Sequence, residues 1–499
     1  MKYLYLQFLC AGLVAVPFVT RASAESRSKP SRPNIIFMLS DDQGWNGLSV
    51  RMHPDHAESG SDFYRTPSLE KLAAQGMRFS CAYAPASVCS PTRCSLQTGK
   101  SPARNRWTKA AKSVSAADGY KFITPRSNRN LAASETTIAE LLQASGYATA
   151  HYGKWHIGGG GPGAHGYDEH DGDTGNEHAF KFNDPNPVDI FGMARRTEKF
   201  MEKNKKAKKP FFIQLSWHAL HAPGNALKKT LEESRKRTPG RLHRDFERAA
   251  ITENLDTGVG MVMEAIDRLG LAANTYVIYM SDNGGGGRKN GVLSGGKGSV
   301  REGGIRVPLI VRGPGIRSGS WCHTTVVGYD FFPTFCEWAK ISRLPRGIEG
   351  GSIVSLLKNP TKAEVKRPRK ELVFHFPHYQ SGEGPHTALI SGNLKVIRFY
   401  ETDQLRLFDL SKDIGERQDL SARMPAQAKA LDARMKTYLA DVDADMPRLN
   451  PDHDPSKTPA SQREAKRQRK QGGRKGEKAR RPGKKRKEPR RPDLERESG

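Results

Sequence analysis

Cysteine is scarce in this chain of 499 residues, with only six, and aromatic residues make up just 8%. So few thiols exclude a disulfide-stapled scaffold, and none stands with histidine at the spacing of a structural zinc site. Cys81, Cys94, Cys322 and Cys336 leave room for two disulfides, but spacing chooses no pairing. Long apolar runs are missing beyond the first two dozen residues, so no later stretch is long enough to cross a bilayer. Acidic charge is short as well: 53 Asp and Glu against 81 Lys and Arg leave a formal net charge of +28. That surplus points to an anionic partner, whether nucleic acid, acidic lipid or acidic polysaccharide.

The two ends differ from the rest. Lys2, an apolar run from Leu4 to Val19 and the small residues Ala22-Ser23-Ala24 read as a signal peptide over 1–24, cut near Ala24. Gln7 and Pro17 interrupt the run and argue against a retained anchor. Leu9 before Cys10 argues against lipid attachment. The mature chain is therefore expected to be secreted or periplasmic, without a transmembrane segment, and export sets nucleic acid aside as a partner. At the other end, 457–499 holds eighteen Lys and Arg against six Asp and Glu. Residues 447–499 read as a disordered basic tail, suited to tethering on an anionic polysaccharide.

Between the ends, four short apolar runs share one design. Asn34–Leu39 stops at Ser40-Asp41-Asp42-Gln43-Gly44; Tyr147–Tyr152 stops at Gly153-Lys154-Trp155-His156. Phe211–Trp217 stops at His218-Ala219-Leu220-His221-Ala222-Pro223, and Thr275–Met280 at Ser281-Asp282-Asn283-Gly284-Gly285. Helical periodicity separates them, as at 136–145 and 248–269. Strands alternating with helices predict an α/β protein, its large, mostly parallel sheet sandwiched by helices. A further strand is expected over 309–311 and a helix entry at 329–334. From 371 the runs shorten and lie close together (372–376, 387–391, 394–399, 405–410), then one helical stretch covers 426–442. This predicts a smaller C-terminal antiparallel sheet plus helix, and hence two units, 25–370 and 371–446. In open α/β sheets ligands bind beyond the carboxyl ends of the strands. Asp41, Asp42, Lys154, His156, His221, Asp282 and Asn283 should then meet at one edge. The carboxylate and amide oxygens among them suit a hard divalent cation.

The remaining chemistry is in Ser87-Val88-Cys89-Ser90-Pro91-Thr92-Arg93, a thiol beside a rigid Pro turn. A helix starting near Ser90 places Cys89 at its positive end and Arg93 one turn along the same face, so both face an anion. Cys-x-Pro-x-Arg followed by Thr98-Gly99 resembles the signature of the type I, formylglycine-dependent sulfatases, the arylsulfatase-like members of the alkaline-phosphatase-like superfamily. Asp41-Asp42, Gly146-Tyr147, Gly153-Lys154-Trp155-His156, His221-Ala222-Pro223, Asp282-Asn283, Lys297, Glu302-Gly303-Gly304 and Leu407-Phe408-Asp409-Leu410 follow the family order.

The resemblance implies a sulfuric ester hydrolase. In that family a maturation enzyme oxidises the cysteine, here Cys89, to Cα-formylglycine, whose hydrate is the nucleophile. It implies one divalent cation, Ca²⁺, held by Asp41, Asp42, Asp282, Asn283 and residue 89. Arg93, Lys154 and Lys297 would balance the charge on the sulfate. His221, with Lys297, would protonate the leaving alkoxide, and His156 would contact the nucleophile. His218 competes with His221, but the His-x-Pro spacing selects the latter. Exported and basic, the chain is expected to act on a sulfated small molecule or glycan, recognised by loops around 168–183 and 375–386. A phosphomonoester or phosphonate hydrolase of the same superfamily and a non-catalytic sulfated-glycan binder are the rival readings. Gln97, Lys100 and Tyr152 depart from the residues usual in the family.

Overall fold

A computed structural model describes residue 1 and residues 32–457, apart from 111–118, 287–289, 362 and 381. Residues 2–24 of the signal peptide and 458–499 of the basic tail lie outside the described residues, but the start of the tail, read as disordered from 447, is ordered: Arg448–Leu449 pairs antiparallel with Phe122–Ile123, and Asn450 N donates to the Lys121 carbonyl at 2.9 Å.

Eight strands form the main sheet: β1 (Asn34–Ser40), β2 (Met77–Phe79), β3 (Ala148–Gly153), β4 (Glu169–His170), β5 (Phe211–Ser216), β6 (Thr275–Ser281), β7 (Leu309–Arg312) and β8 (Ser320–Cys322). Their order is β8-β2-β7-β6-β1-β5-β3-β4. β1 pairs in parallel with β5 and β6, and β3 with β4 and β5. β7 alone is reversed, lying antiparallel to both β6 and β2. The four motif-bearing strands are thus consecutive and parallel, as their shared pattern predicts.

Both faces of this sheet are covered, which is why β1 is buried at all seven positions. Alternate side chains feed opposite layers. Ile36 and Met38 of β1 pack with Ile213 of β5 and Val277 of β6, beneath α1 (Pro67–Gln75), α4 (Ile190–Lys206) and α5 (Phe246–Arg268). Ile35, Phe37 and Leu39 enter the other layer, with α2 (Cys89–Thr98), α3 (Ile138–Ala144) and α6 (Phe331–Trp338). Cys94, Cys322 and Cys336 lie in that second layer as free, buried thiols, and Cys81 is also free. The two disulfides that the sequence left open are not formed: apolar packing occupies three of the sulfurs, while Cys81 Sγ contacts Thr325 Oγ1 at 3.2 Å.

The second sheet is antiparallel, in the order β9 (Leu372–Phe376), β10 (His386–Ser391), β11 (Leu394–Phe399), β12 (Gln404–Asp409). One face carries α7 (Pro425–Asp441) through Val373, Leu389, Val396 and Leu407 against Leu431 and Met435. The other packs Phe374, Ile390 and Ile397 on Tyr83, Val88 and Val300 of the first unit. A buried charge group pins that junction. Lys395 Nζ lies 2.8 Å from Glu302 and 2.9 Å from Glu416, and Arg306 lies 2.7 Å from Glu302.

Gln97, where an apolar residue is usual in the family, is accommodated by polar partners under α2. Its Nε2 donates to Gln214 Oε1 at 2.7 Å, and Tyr167 Oη donates to its Oε1 at 3.1 Å. Gln97→Leu strands these buried groups and is expected to destabilise the fold by about 1–3 kcal/mol. Urea unfolding curves of the two proteins check this, and an unchanged midpoint contradicts it.

Candidate active site

α2 begins at Cys89 itself, one residue before the start expected from Pro91, and ends at Gly99 in the left-handed region (φ 66°). Cys89 therefore sits in the first turn at the positive helix end, and Arg93 follows one turn later. Both are 1% exposed. The helix aims them at the carboxyl ends of β1 and β6, where register pairs Ser40 with Ser281 and brings Asp41-Asp42 beside Asp282-Asn283.

These groups are in direct contact. Cys89 Sγ lies 3.5 Å from Asp41 Oδ1. Arg93 donates from Nε and Nη2 to Asp282 Oδ2 at 3.2 and 2.8 Å, and from Nη2 to Asp41 Oδ2 at 3.3 Å. Its Nη1 donates to the Lys154 carbonyl at 2.5 Å. Lys154 Nζ is paired with Asp41 Oδ2. Lys297 Nζ lies 2.7 Å from Asp42 Oδ1, and Asn283 Nδ2 donates to the same oxygen at 2.8 Å. Close approach makes this convergence possible at two points. Gly153, at φ 89°, turns β3 into Lys154 where an added Cβ would stand 2.1 Å from the Ser216 carbonyl. Asp42 and His156 both hold left-handed backbone (φ 59° and 61°), a strained state for residues with a Cβ and one common at functional sites.

The electrostatics follow from burial among opposite charges. Burial alone would raise the Asp41 carboxyl, but Lys154, Arg93 and Lys297 overcome it and hold Asp41 well below the usual range. Asp282 is pushed up to about 6 by burial and by the neighbouring Asp41, which Arg93 and Lys154 only partly offset. Burial also raises the Cys89 thiol strongly, with Asp41 adding to it, so the unmodified thiol is a poor nucleophile here. His156 is held at about 2 by burial and then by Lys154 and Arg93, and its Nδ1 lies 3.2 Å from Ser90 Oγ. His218 is buried and held at about 3, whereas His221 is half-buried with Nδ1 donating to the Ala222 carbonyl at 2.9 Å. The fully buried His151 of β3 is likewise at about 3.

The donor set fits a divalent cation. Ligand atoms of Asp41, Asp42, Cys89 and Asp282 all lie within 4.8 Å of one another. Asn283 Oδ1 is buried and receives no hydrogen bond, a cost that a cation among these oxygens would remove.

Other residues that hold the site carry no motif. Arg248, in the first turn of α5, donates to the carbonyls of Asp42 and Leu220 and so ties the first and third strand ends together. Thr174 accepts from Trp155 N at 3.0 Å through Oγ1, and its carbonyl accepts from His156 N at 2.8 Å. An arginine at a helix start and a threonine in a loop give no local signal of this. The 375–386 loop approaches the site through Gln380, which packs at Gly298, next to Lys297.

A sulfatase family model matches residues 33–341, and a model of the N-sulphoglucosamine sulphohydrolase C-terminal region matches 296–445. The chain belongs to the sulfatase family. This sulfatase is 29% identical over 511 residues to a sulfatase of Formosa agariphila, covering 85% of this chain and 90% of that one. It is 30% identical to the N-acetylgalactosamine-6-sulfatase of Rattus norvegicus over 64% of each chain. Among solved structures, Ps i-CgsB in complex with k-i-k-neocarrahexaose shares the fold, with a TM-score of 0.67 at 24% identity, over 82% of this chain and 93% of that one. Among the described residues of this sulfatase, no helix is long and apolar enough to cross a membrane.

Imidazoles kept neutral by burial, three of them in or beside the site, are expected to make the enzyme acid-sensitive. His151, His156 and His218 have folded values of about 3, 2 and 3 against 6.5 unfolded, so the unfolded chain takes up the protons. Their stabilisation is complete above pH 6.5 and is lost as pH falls towards about 3, by about 1.4 kcal/mol per unit for each. His218→Gln should flatten the slope of unfolding free energy between pH 6.5 and 4.5 by about that amount. Denaturant titrations at several pH values measure it, and a slope equal to the parent's contradicts it.

Proposed function

We propose that this sulfatase is exported and hydrolyses sulfate monoesters of a sulfated carbohydrate, with residue 89 as nucleophile in its formylglycine form and one divalent cation, Ca²⁺, beside it. The contact of Cys89 with Asp41, inside a buried ring of two further acids and three fixed cations, carries the reading. Support for a sugar substrate comes from the names of the N-acetylgalactosamine-6-sulfatase relative and the k-i-k-neocarrahexaose complex. Both belong to other proteins, and the net charge of +28 is the feature of this chain that agrees with them.

In this reading Asp41, Asp42, Asp282, Asn283 and residue 89 hold the cation. When in place, the cation polarises the sulfate oxygens and the oxidised residue 89 supplies a hydroxyl nucleophile that a thiol cannot replace. Everything else falls to side chains already fixed. Arg93 is immobilised by Asp41, Asp282 and the Lys154 carbonyl, so its charge needs no reorganisation when substrate arrives. Lys154 and Lys297 place two more charges around the same point. His156, neutral and beside Ser90, offers a hydrogen-bond partner on the nucleophile side. His221 keeps Nδ1–H on the Ala222 carbonyl, so Nε2 is the ring atom left to give a proton to the leaving oxygen. The secretory leader, the maturation enzyme, the two-unit division at 370/371 and the polysaccharide-tethering tail belong to the same proposal.

Peptide mass spectrometry of residue 89 and hydrolysis of a neutral aryl sulfate, with aryl phosphate and phosphonate esters in parallel, test it. Cys89→Ala is expected to lower kcat by about 10³-fold or more, and His221→Gln to lower kcat with little change in KM. Chelation should abolish turnover and lower the melting temperature, with Ca²⁺ restoring both. An unmodified residue 89, or phosphate esters turned over faster than sulfates, overturns the assignment.

A further inference from the structure

A cavity of about 620 Å³ opens directly beside the site. Three of its walls continue the site's own loops. Gln43 and Gly44 follow Asp42, Gly285 and Gly286 follow Asn283, and Leu220 precedes His221. The remaining wall comes from Tyr64 and from 243–248, the approach to α5. A ligand group held at the strand ends therefore has this cavity as a neighbour.

Its lining is built for an anionic, ring-shaped group. Arg244 and Arg248 lie on one side, with the His243 ring stacked on Tyr64 at 4.5 Å between centroids. The single carboxylate in the lining, Asp245, is engaged as the N-cap of α5 and accepts from Arg248 N at 3.0 Å. Arg248 is committed to the Asp42 and Leu220 carbonyls, so its position is fixed while its charge still acts on the cavity. Arg244 is exposed and anchored only through Nε, on the Gly240 carbonyl at 3.1 Å, which leaves its terminal nitrogens able to reach a ligand. Asn46, 1% exposed, lines the same cavity, and among the described residues its Nδ2 donor has no hydrogen-bond partner. A buried amide donor left unpaired is costly unless a ligand or water meets it.

We infer that this cavity is a subsite for a second anionic substituent, a sulfate or a carboxylate, carried by the substrate next to the ester that is cleaved. The inference rests on the proposed sulfatase reading and narrows its substrate class to polyanionic glycans. Arg244 holds the second anion, Arg248 adds a fixed positive field, and the Tyr64–His243 pair provides the flat wall against which a sugar ring lies. A neutral aryl sulfate carries no group for Arg244 to hold, so it reports the reaction centre without the subsite.

Sucrose octasulfate serves as the probe, as a competitive inhibitor of aryl sulfate hydrolysis by the full chain. Arg244→Glu is expected to raise its inhibition constant by about tenfold relative to any change in the aryl sulfate KM. Arg241→Glu makes the same change of charge three residues away, outside the lining and on a side chain paired with Glu58, and should leave the constant unchanged. An inhibition constant equal to the parent's in Arg244→Glu, or shifted equally in both variants, overturns the subsite. A parent enzyme that cleaves no sulfate ester sinks the sulfatase reading instead. The subsite is then decided by calorimetric titration of the same probe: Arg244→Glu should lose one binding event that Arg241→Glu keeps, and identical isotherms overturn it.

Discussion

Repulsion among three carboxylates, buried together at the ends of two neighbouring strands, is the constraint on which the rest of the structure depends. Asp41, Asp42 and Asp282 are placed there by the parallel register of β1 and β6, and burial makes their mutual repulsion expensive. The fold answers with Arg93 across Asp41 and Asp282, Lys154 on Asp41 and Lys297 on Asp42. Each cation arrives on a different element: α2, the turn after β3, and the glycine-rich segment before β7. The site is therefore a product of the whole sheet: loss of Arg93 leaves Asp282, and loss of Lys297 leaves Asp42, without its ion-pair partner, while Asp41 is shared by Arg93 and Lys154. The same balance leaves Asn283 Oδ1 without a donor among the described residues and Asp282 raised, so the cluster could hold one more positive charge.

The second sheet contributes to this balance from a distance. Lys395 of β11, clamped by Glu302 and Glu416, joins it to the turn that leads into β7. Glu416 also accepts from Ser294 Oγ at 2.5 Å and from Glu302 N at 2.9 Å. Gly298 N donates to the Ser87 carbonyl at 2.8 Å, so the Lys297 segment is fastened both to the second sheet and to the approach to Cys89. The small sheet thereby holds in place the lysine of the candidate site that does not follow a strand.

Positions that depart from the usual family residues are each met by a local partner. Lys100 Nζ pairs with Glu135 at 2.6 Å, and Tyr152 Oη donates to Glu169 at 3.0 Å with the Arg196 guanidinium 5.5 Å above its ring. Gln97 completes a buried polar group with Gln214 and Tyr167. In each case the change of residue type is matched by a hydrogen bond or ion pair. Substrate selection is therefore sought in the cavity walls, where Tyr64, His243 and Arg244 belong to none of the motifs.

Much of this molecule was legible in the residues because its information is local. Alternating short apolar runs and helical periods determine a mostly parallel sheet, and a strand's boundaries follow from where its apolar run stops. For the same reason the strand pattern names the seven strand-end residues as neighbours, while Cys89 joins them only through the family resemblance of its motif. Tertiary structure alone decided the reversal of β7, the free state of the thiols and the tie that Arg248 makes between two strand ends. It also decided which loops wall the cavity. Those features depend on contacts between residues far apart in the chain, where no periodicity or spacing is left to read, and only packing brings the partners together.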